Sequence, residues 1–182
     1  DRDIAFVACK WRGPRAPSPV LLGSNGPADS LRDSATQIFD HPDVRDWQLE
    51  GIIEVLAWRD CVGLLPTGAG KSFIFQVAGM VLPGRTIVID PLVALMEDQV
   101  RSLQSYGIDR VADISSQTTA RGQLAATLDQ VASGDALFVF IAPERLQQQH
   151  FRHAMRQPAQ STPINPAVVD EPHSLSDWGA AF

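Results

Sequence analysis

Cys61-Val62-Gly63-Leu64-Leu65-Pro66-Thr67-Gly68-Ala69-Gly70-Lys71-Ser72 is the stretch on which the reading of this chain turns. Cys61 to Leu65 is a short apolar run of the length expected for a buried strand. Helical spacing begins at Lys71 and continues to Val81. Between the two, Gly68 and Gly70 let the backbone turn tightly, so that consecutive N–H groups face a phosphate. The helix that opens there adds the partial positive charge of its N-terminus. In such a turn Pro66, Thr67, Gly68, Ala69 and Gly70 form the cradle, Lys71 reaches the β- and γ-phosphates of a nucleoside triphosphate, and Ser72 ligates Mg2+. The strict pattern has glycine where Leu65 stands, but Gly68 and Gly70 still bracket the turn. Lysine usage supports the assignment: Lys10 and Lys71 are the two lysines, against 13 arginines. A compact ammonium fits between phosphates where a planar guanidinium does not.

Outward from this turn, strand-like and helix-like segments alternate. Gln48 to Trp58, Leu92 to Tyr106 and Gln123 to Val131 have helical spacing, and a short helix is expected near Phe151–Arg156. Thr86–Ile89, Val111–Ile114, Leu137–Ile141 and Ala167–Val169 read as strands. This alternation predicts an α/β fold, a parallel sheet sandwiched by helices. Leu92, Leu95 and Met96 read as core. The last strand runs into Asp170-Glu171-Pro172-His173. Sites in parallel α/β sheets form at the carboxyl ends of strands. There Asp170 can hold Mg2+ through its water shell, and Glu171 can orient and deprotonate an attacking water. Lys71, Asp170 and Glu171 are thus the expected catalytic set.

Composition narrows the class. The chain has 182 residues, 45% of them hydrophobic, enough to bury a core without staples. Charged residues make up 20%, which excludes wholesale disorder. A net charge of −6 argues against a strongly cationic nucleic-acid glove, though not against a local polar groove. Cys9 and Cys61 cannot build a disulfide framework. No apolar run approaches membrane-helix length, so no membrane partner is expected. The location expected is cytoplasmic, in a bacterial cytoplasm or nucleoid. Four prolines and three glycines crowd Gly13 to Pro27, so residues 1–35 are expected to be a linker or the tail of an upstream region, and residues 36–182 the domain.

Four segments in order carry a family resemblance. They are Pro66–Ser72 followed by Gln76; Asp90-Pro91-Leu92-Val93-Ala94-Leu95-Met96-Glu97-Asp98-Gln99-Val100; Ile141-Ala142-Pro143-Glu144-Arg145-Leu146; and Val169-Asp170-Glu171-Pro172-His173-Ser174-Leu175-Ser176-Asp177-Trp178-Gly179. Together, over about residues 39–182, they resemble the motifs of RecQ-type superfamily-two DNA helicases. The resemblance implies a RecA-like fold, ATP and Mg2+ as cofactors, and ATP hydrolysis coupled to 3′-to-5′ unwinding of single-stranded or tailed DNA. It also implies that Arg45 and Gln48, in Val44-Arg45-Asp46-Trp47-Gln48, contact adenine, with His41 where an aromatic often stacks on the base. Pro91, Leu92, Pro143 and Arg145 would face the DNA backbone. His173 and Trp178 would couple DNA contact to hydrolysis. A second motor domain with its arginine finger belongs to the family's full-length proteins. The chain stops just after the acidic motif, so the fragment is expected to bind ATP–Mg2+ weakly, hydrolyse it scarcely and not unwind DNA. Pro172 for the usual alanine, Asp90 for a small hydroxyl residue, and Ala180 and Ala181 for polar residues point to a divergent branch, in repair or defence. Two alternatives share these residues: an RNA helicase or double-strand DNA translocase of a restriction system, and a non-catalytic nucleotide-dependent DNA-binding module.

Overall fold

The four residues Phe138-Val139-Phe140-Ile141 are all buried, yet they face two different layers. Phe138 and Phe140 join one apolar cluster, Val139 and Ile141 another. Successive side chains of a strand point to opposite faces, so a strand apolar at every position needs helices on both sides. The computed structural model describes residues 4–9, 27–39, 44–66, 68–156 and 163–171, with backbone alone at 4–9, 27, 28 and 155. His41, Thr67, Pro172, His173, Trp178, Ala180 and Ala181 lie outside the described residues.

In chain order the elements are β1 (Ile4–Cys9), α1 (Pro27–Phe39), α2 (Asp46–Leu56), β2 (Cys61–Leu65), α3 (Lys71–Val81), β3 (Arg85–Ile89), α4 (Val93–Ser105), β4 (Val111–Ile114), α5 (Ser116–Ala120), α6 (Leu124–Ser133), β5 (Phe138–Ile141), a 3-10 turn (Pro143–Arg145), α7 (Gln149–Arg156) and β6 (Ile164–Val169). Among the described residues the sheet has six strands in the order β2-β1-β6-β3-β5-β4. β6, β3, β5 and β4 pair in parallel, and β1 lies antiparallel between β2 and β6. The five strands other than β1 therefore point one way, and their carboxyl ends share one edge. One layer gathers α1, α2, α3 and α4 over Val88, Phe138, Phe140 and Val168. The other packs Val131 of α6 and Phe151 of α7 on Ile87, Val139 and Ile141.

The expected α/β architecture is thus the one observed, with three differences. First, residues 1–35, expected to be a linker or the tail of an upstream region, contain β1 and most of α1. β1 pairs along Ile4↔Leu65 on one side and Val7↔Val169 on the other. α1 begins at Pro27, a residue suited to a first helical turn, and buries Leu31, Ala35 and Phe39 at helical spacing. Phe39 meets Phe73 and Tyr106 edge-on at 5.4 and 5.2 Å. The prolines and glycines lie upstream of this stripe and do not interrupt it.

Second, β2 is not fully buried. It sits at the edge of the sheet, where Cys61 and Leu65 pack on the α1–α4 layer while Val62 and Leu64 are 63% and 68% exposed. An apolar run of five does not distinguish a central strand from an edge one. Third, Leu92 is 49% exposed, whereas Met96 is fully buried as expected. Leu92 is the residue before α4 and has not yet entered the stripe on which Met96, Gln99 and Leu103 are buried.

Candidate nucleotide and magnesium site

β2 runs into the turn through Pro66, and α3 starts at Lys71. Gly68 and Gly70 hold φ angles of +78° and +87°, the left-handed region that glycine enters without steric cost. A Cβ at Gly70 would also stand 2.8 Å from Gln48 Nε2, so the end of that side chain would have to shift. The start of α2 fastens this turn. Gln48 Nε2 donates to the Gly70 carbonyl at 3.2 Å, and Gln48 Oε1 accepts from the Arg45 N–H at 3.0 Å. Arg45 Nη1 donates to the Ala69 carbonyl at 3.1 Å, and its guanidinium lies 5.9 Å from the Trp47 ring centre. Arg45 and Gln48 thus both touch the phosphate loop itself. Gln48 is 1% exposed, with each end of its amide engaged inside the protein.

Lys71 crosses from the first turn of α3 to the end of β6. Its Nζ donates to Glu171 Oε1 at 2.9 Å, and both side chains are buried. The two motifs, 100 residues apart in sequence, therefore meet directly. Asp170 continues the pairing of β6 with β3 by donating its N–H to the Ile89 carbonyl at 2.8 Å. Its Oδ1 accepts from the Glu171 N–H at 3.0 Å, and its Oδ2 from Gln99 Nε2 at 3.1 Å. Glu171 has a φ of +49°, uncommon for a residue with a side chain and typical of the strained positions that gather at functional sites. Burial pushes the Asp170 carboxyl above the ordinary range, while the Gln99 hydrogen bond and the Lys71 charge pull it back. Ser72, the second residue of α3, is half-buried next to Lys71.

A third carboxylate stands at the same sheet edge. Asp90 follows β3 and is fully buried. Its Oδ1 accepts from the Leu92 N–H at 2.8 Å, and its Oδ2 has no hydrogen-bond partner among the described residues. Burial raises its pKa from 3.8 to about 7; the Leu92 hydrogen bond opposes the shift, Asp170 and Glu171 add to it, and Lys71 lowers it.

The residues expected to face DNA flank this acidic group. Pro91 and Leu92 follow β3, and Pro143 to Arg145 follow the adjacent β5, so both segments lie at the carboxyl edge of the sheet. Leu92 is exposed, Pro143 is buried, and Arg145 Nη1 donates to Gln148 Oε1 at 3.3 Å. Thr67, His173 and Trp178, expected in the cradle and in coupling, lie outside the described residues.

Gln99 closes the segment expected to face the DNA backbone, but it is buried and turned to Asp170, a role not read from the sequence. The signal was present: Met96, Gln99 and Leu103 form one buried stripe of α4, and a polar side chain on an apolar stripe needs a polar partner. The partner itself, 71 positions away, is not readable from periodicity.

A family profile described as DEAD/DEAH box helicase matches residues 45–182. The chain belongs to that family. Among curated proteins it is similar to the probable ATP-dependent DNA helicase RecS of Bacillus subtilis, 32% identical over 152 residues, covering 84% of this chain and 29% of the relative. The ATP-dependent DNA helicase RecQ of Synechocystis is 36% identical over 153 residues, covering 84% and 31%. RecQ of Pasteurella multocida is 31% identical over 145 residues, covering 80% and 22%. The chain thus spans less than a third of the length of each of these relatives. The relatives agree with the RecQ-type resemblance of the motifs. Among the described residues, no helix is long and apolar enough to cross a membrane.

Proposed function

We propose that this chain is the ATP-binding motor portion of a RecQ-type, ATP-dependent DNA helicase that acts in the cytoplasm. The observation that carries the reading is the 2.9 Å ion pair between Lys71 and Glu171, which brings the phosphate turn and the acidic pair to one place. The residues fit ATP and Mg2+. A positive-φ glycine turn opens at a helix start, an ammonium stands beside it, and two buried polar atoms, Asp90 Oδ2 and Gln99 Oε1, lack hydrogen-bond partners among the described residues. Magnesium at such a site neutralises phosphate charge and favours transfer to water.

The protein's own part is positioning. The N–H groups of the Gly68–Lys71 turn bind phosphate oxygens, and Lys71 exchanges Glu171 for the β- and γ-phosphates. Released from Lys71, Glu171 takes a proton from the attacking water. Ser72 and Asp170 are the residues that would hold the metal. Arg45 and Gln48, which brace the loop in the nucleotide-free protein, are the residues proposed to contact the adenine. Pro91, Leu92 and Arg145 are the residues proposed to meet a DNA backbone, with the buried Pro143 shaping the turn that carries Arg145, and His173 and Trp178 are proposed to couple the two events. A second motor domain completes turnover.

The test uses the full-length protein with ATP, Mg2+ and a 3′-tailed DNA duplex. DNA-stimulated ATP hydrolysis and unwinding are expected, with Lys71→Ala losing nucleotide binding and Glu171→Gln retaining ATP while losing turnover. Equal retention and release of ATP by wild type and Glu171→Gln would overturn the enzymatic reading in favour of a binding module. RNA-dependent but not DNA-dependent turnover would reassign the substrate.

A further inference from the structure

We infer that Gln99 is a positioning residue for the magnesium carboxylate, setting the affinity of the site for the metal without touching the nucleotide. This rests on the reading of Asp170 as a metal-holding residue. Asp170 has its two oxygens fixed from different directions. The Glu171 N–H holds Oδ1 locally, and the Gln99 amide holds Oδ2 from α4, across the interior. The nitrogen of that amide faces Asp170 Oδ2, and its oxygen is directed elsewhere. That oxygen, Gln99 Oε1, is buried and without a partner among the described residues. Gln99 itself is 7% exposed, between Met96 and Leu103 on the buried stripe of α4, so its side chain cannot swing out to water.

A hydrophobic residue in this place would complete the apolar stripe. A glutamine here instead donates to Asp170 and keeps a second polar atom, Oε1, buried without a partner among the described residues. Partners of metal-holding carboxylates fix their rotamer, and their loss typically weakens metal binding by about 10–100-fold. α4 also begins where Asp90 Oδ1 caps the Leu92 N–H. Leu92 and Gln99 are seven residues apart, about 10 Å along the helix, so α4 ties the exposed sheet edge to Asp170 as one rigid rod.

The experiment measures binding of a fluorescent ATP analogue while Mg2+ is titrated, in the full chain carrying Gln99→Met or Gln99→Leu. Methionine matches glutamine in length and flexibility and lacks the donor. The concentration of Mg2+ giving half-maximal enhancement of nucleotide binding is expected to rise about 10-fold or more in both variants. Nucleotide affinity in EDTA, set by the phosphate turn, is expected to stay within about 2-fold of wild type. Mn2+ binding followed by its electron spin resonance signal is expected to weaken in parallel. An unchanged Mg2+ midpoint in either folded variant overturns the inference. Equal losses with and without metal also overturn it, because they mark Gln99 as ordinary packing. A wild-type protein whose nucleotide binding ignores Mg2+ overturns both this inference and the reading of the site on which it rests.

Discussion

Asp90→Asn should stabilise the metal-free protein more at high pH than at low pH, by an amount the structure sets. Asp90 is fully buried, and its pKa is raised from 3.8 to about 7. A carboxyl whose folded pKa is raised favours folding in its protonated form. Its penalty is absent below about pH 4, grows as pH rises, and is complete above about pH 7. Each pH unit in that window is worth about 1.4 kcal/mol, so two units, from pH 5 to pH 7, change the penalty by roughly 3 kcal/mol. Asparagine keeps an acceptor for the Leu92 N–H and cannot ionise. It does place an amide nitrogen at the orphaned Oδ2 position, which costs about 1–3 kcal/mol at every pH. The pH-dependent part is therefore the informative one. For a chain of this size, roughly 3 kcal/mol corresponds to about 6–12 °C in Tm. Thermal unfolding in EDTA, followed by circular dichroism at pH 5, 6, 7 and 8, should show the Tm difference between variant and wild type rising by about that much across the series. Asp170 is present in both proteins, so it enters the difference through its coupling to Asp90. A difference that stays flat within about 2 °C refutes the argument that Asp90 is charged at a cost near neutral pH.

Three further outcomes follow from the same geometry. Lys71→Ala strips the ammonium from a buried carboxylate, so besides abolishing nucleotide binding it should lower stability by about 3 kcal/mol in nucleotide-free protein, read by urea denaturation; an unchanged midpoint would mean the 2.9 Å pair is not maintained in solution. Gly70→Ala forces a side chain into a φ of +87° and against Gln48, so it should cost about 1–2 kcal/mol and weaken ATP-analogue binding at least 10-fold in fluorescence titration, whereas wild-type affinity would show that the turn adopts another conformation. Gly79→Ala would set a Cβ 2.2 Å from Thr86 Oγ1 and 2.8 Å from the Phe138 ring, where α3 lies on the sheet; a loss of about 1–3 kcal/mol is expected with nucleotide affinity of the folded fraction unchanged, and a Tm equal to wild type would contradict that close approach.

What the sequence determined by itself was local. The phosphate turn needed only neighbouring residues: a strand, two glycines, a lysine and a helix start. The strand Phe138–Ile141 and helix α3 were likewise legible, the one from a continuous apolar run and the other from period-3.6 spacing. The tertiary structure decided what joins distant positions. Nothing in Ile4–Cys9 announces that it will lie antiparallel between β2 and β6, because its partners stand more than 50 and more than 150 residues away in the chain. Asp90 read as a departure from a motif, and only its enclosure beside Asp170 and Glu171 turned it into a carboxyl with a shifted pKa. Gln99 carried no role of its own in the sequence, and only the fold supplied its partner 71 residues on. Periodicity reports which face of an element is buried; it carries no record of what that face will be buried against, and for polar groups in an interior of low dielectric the identity of that neighbour is the whole of the chemistry.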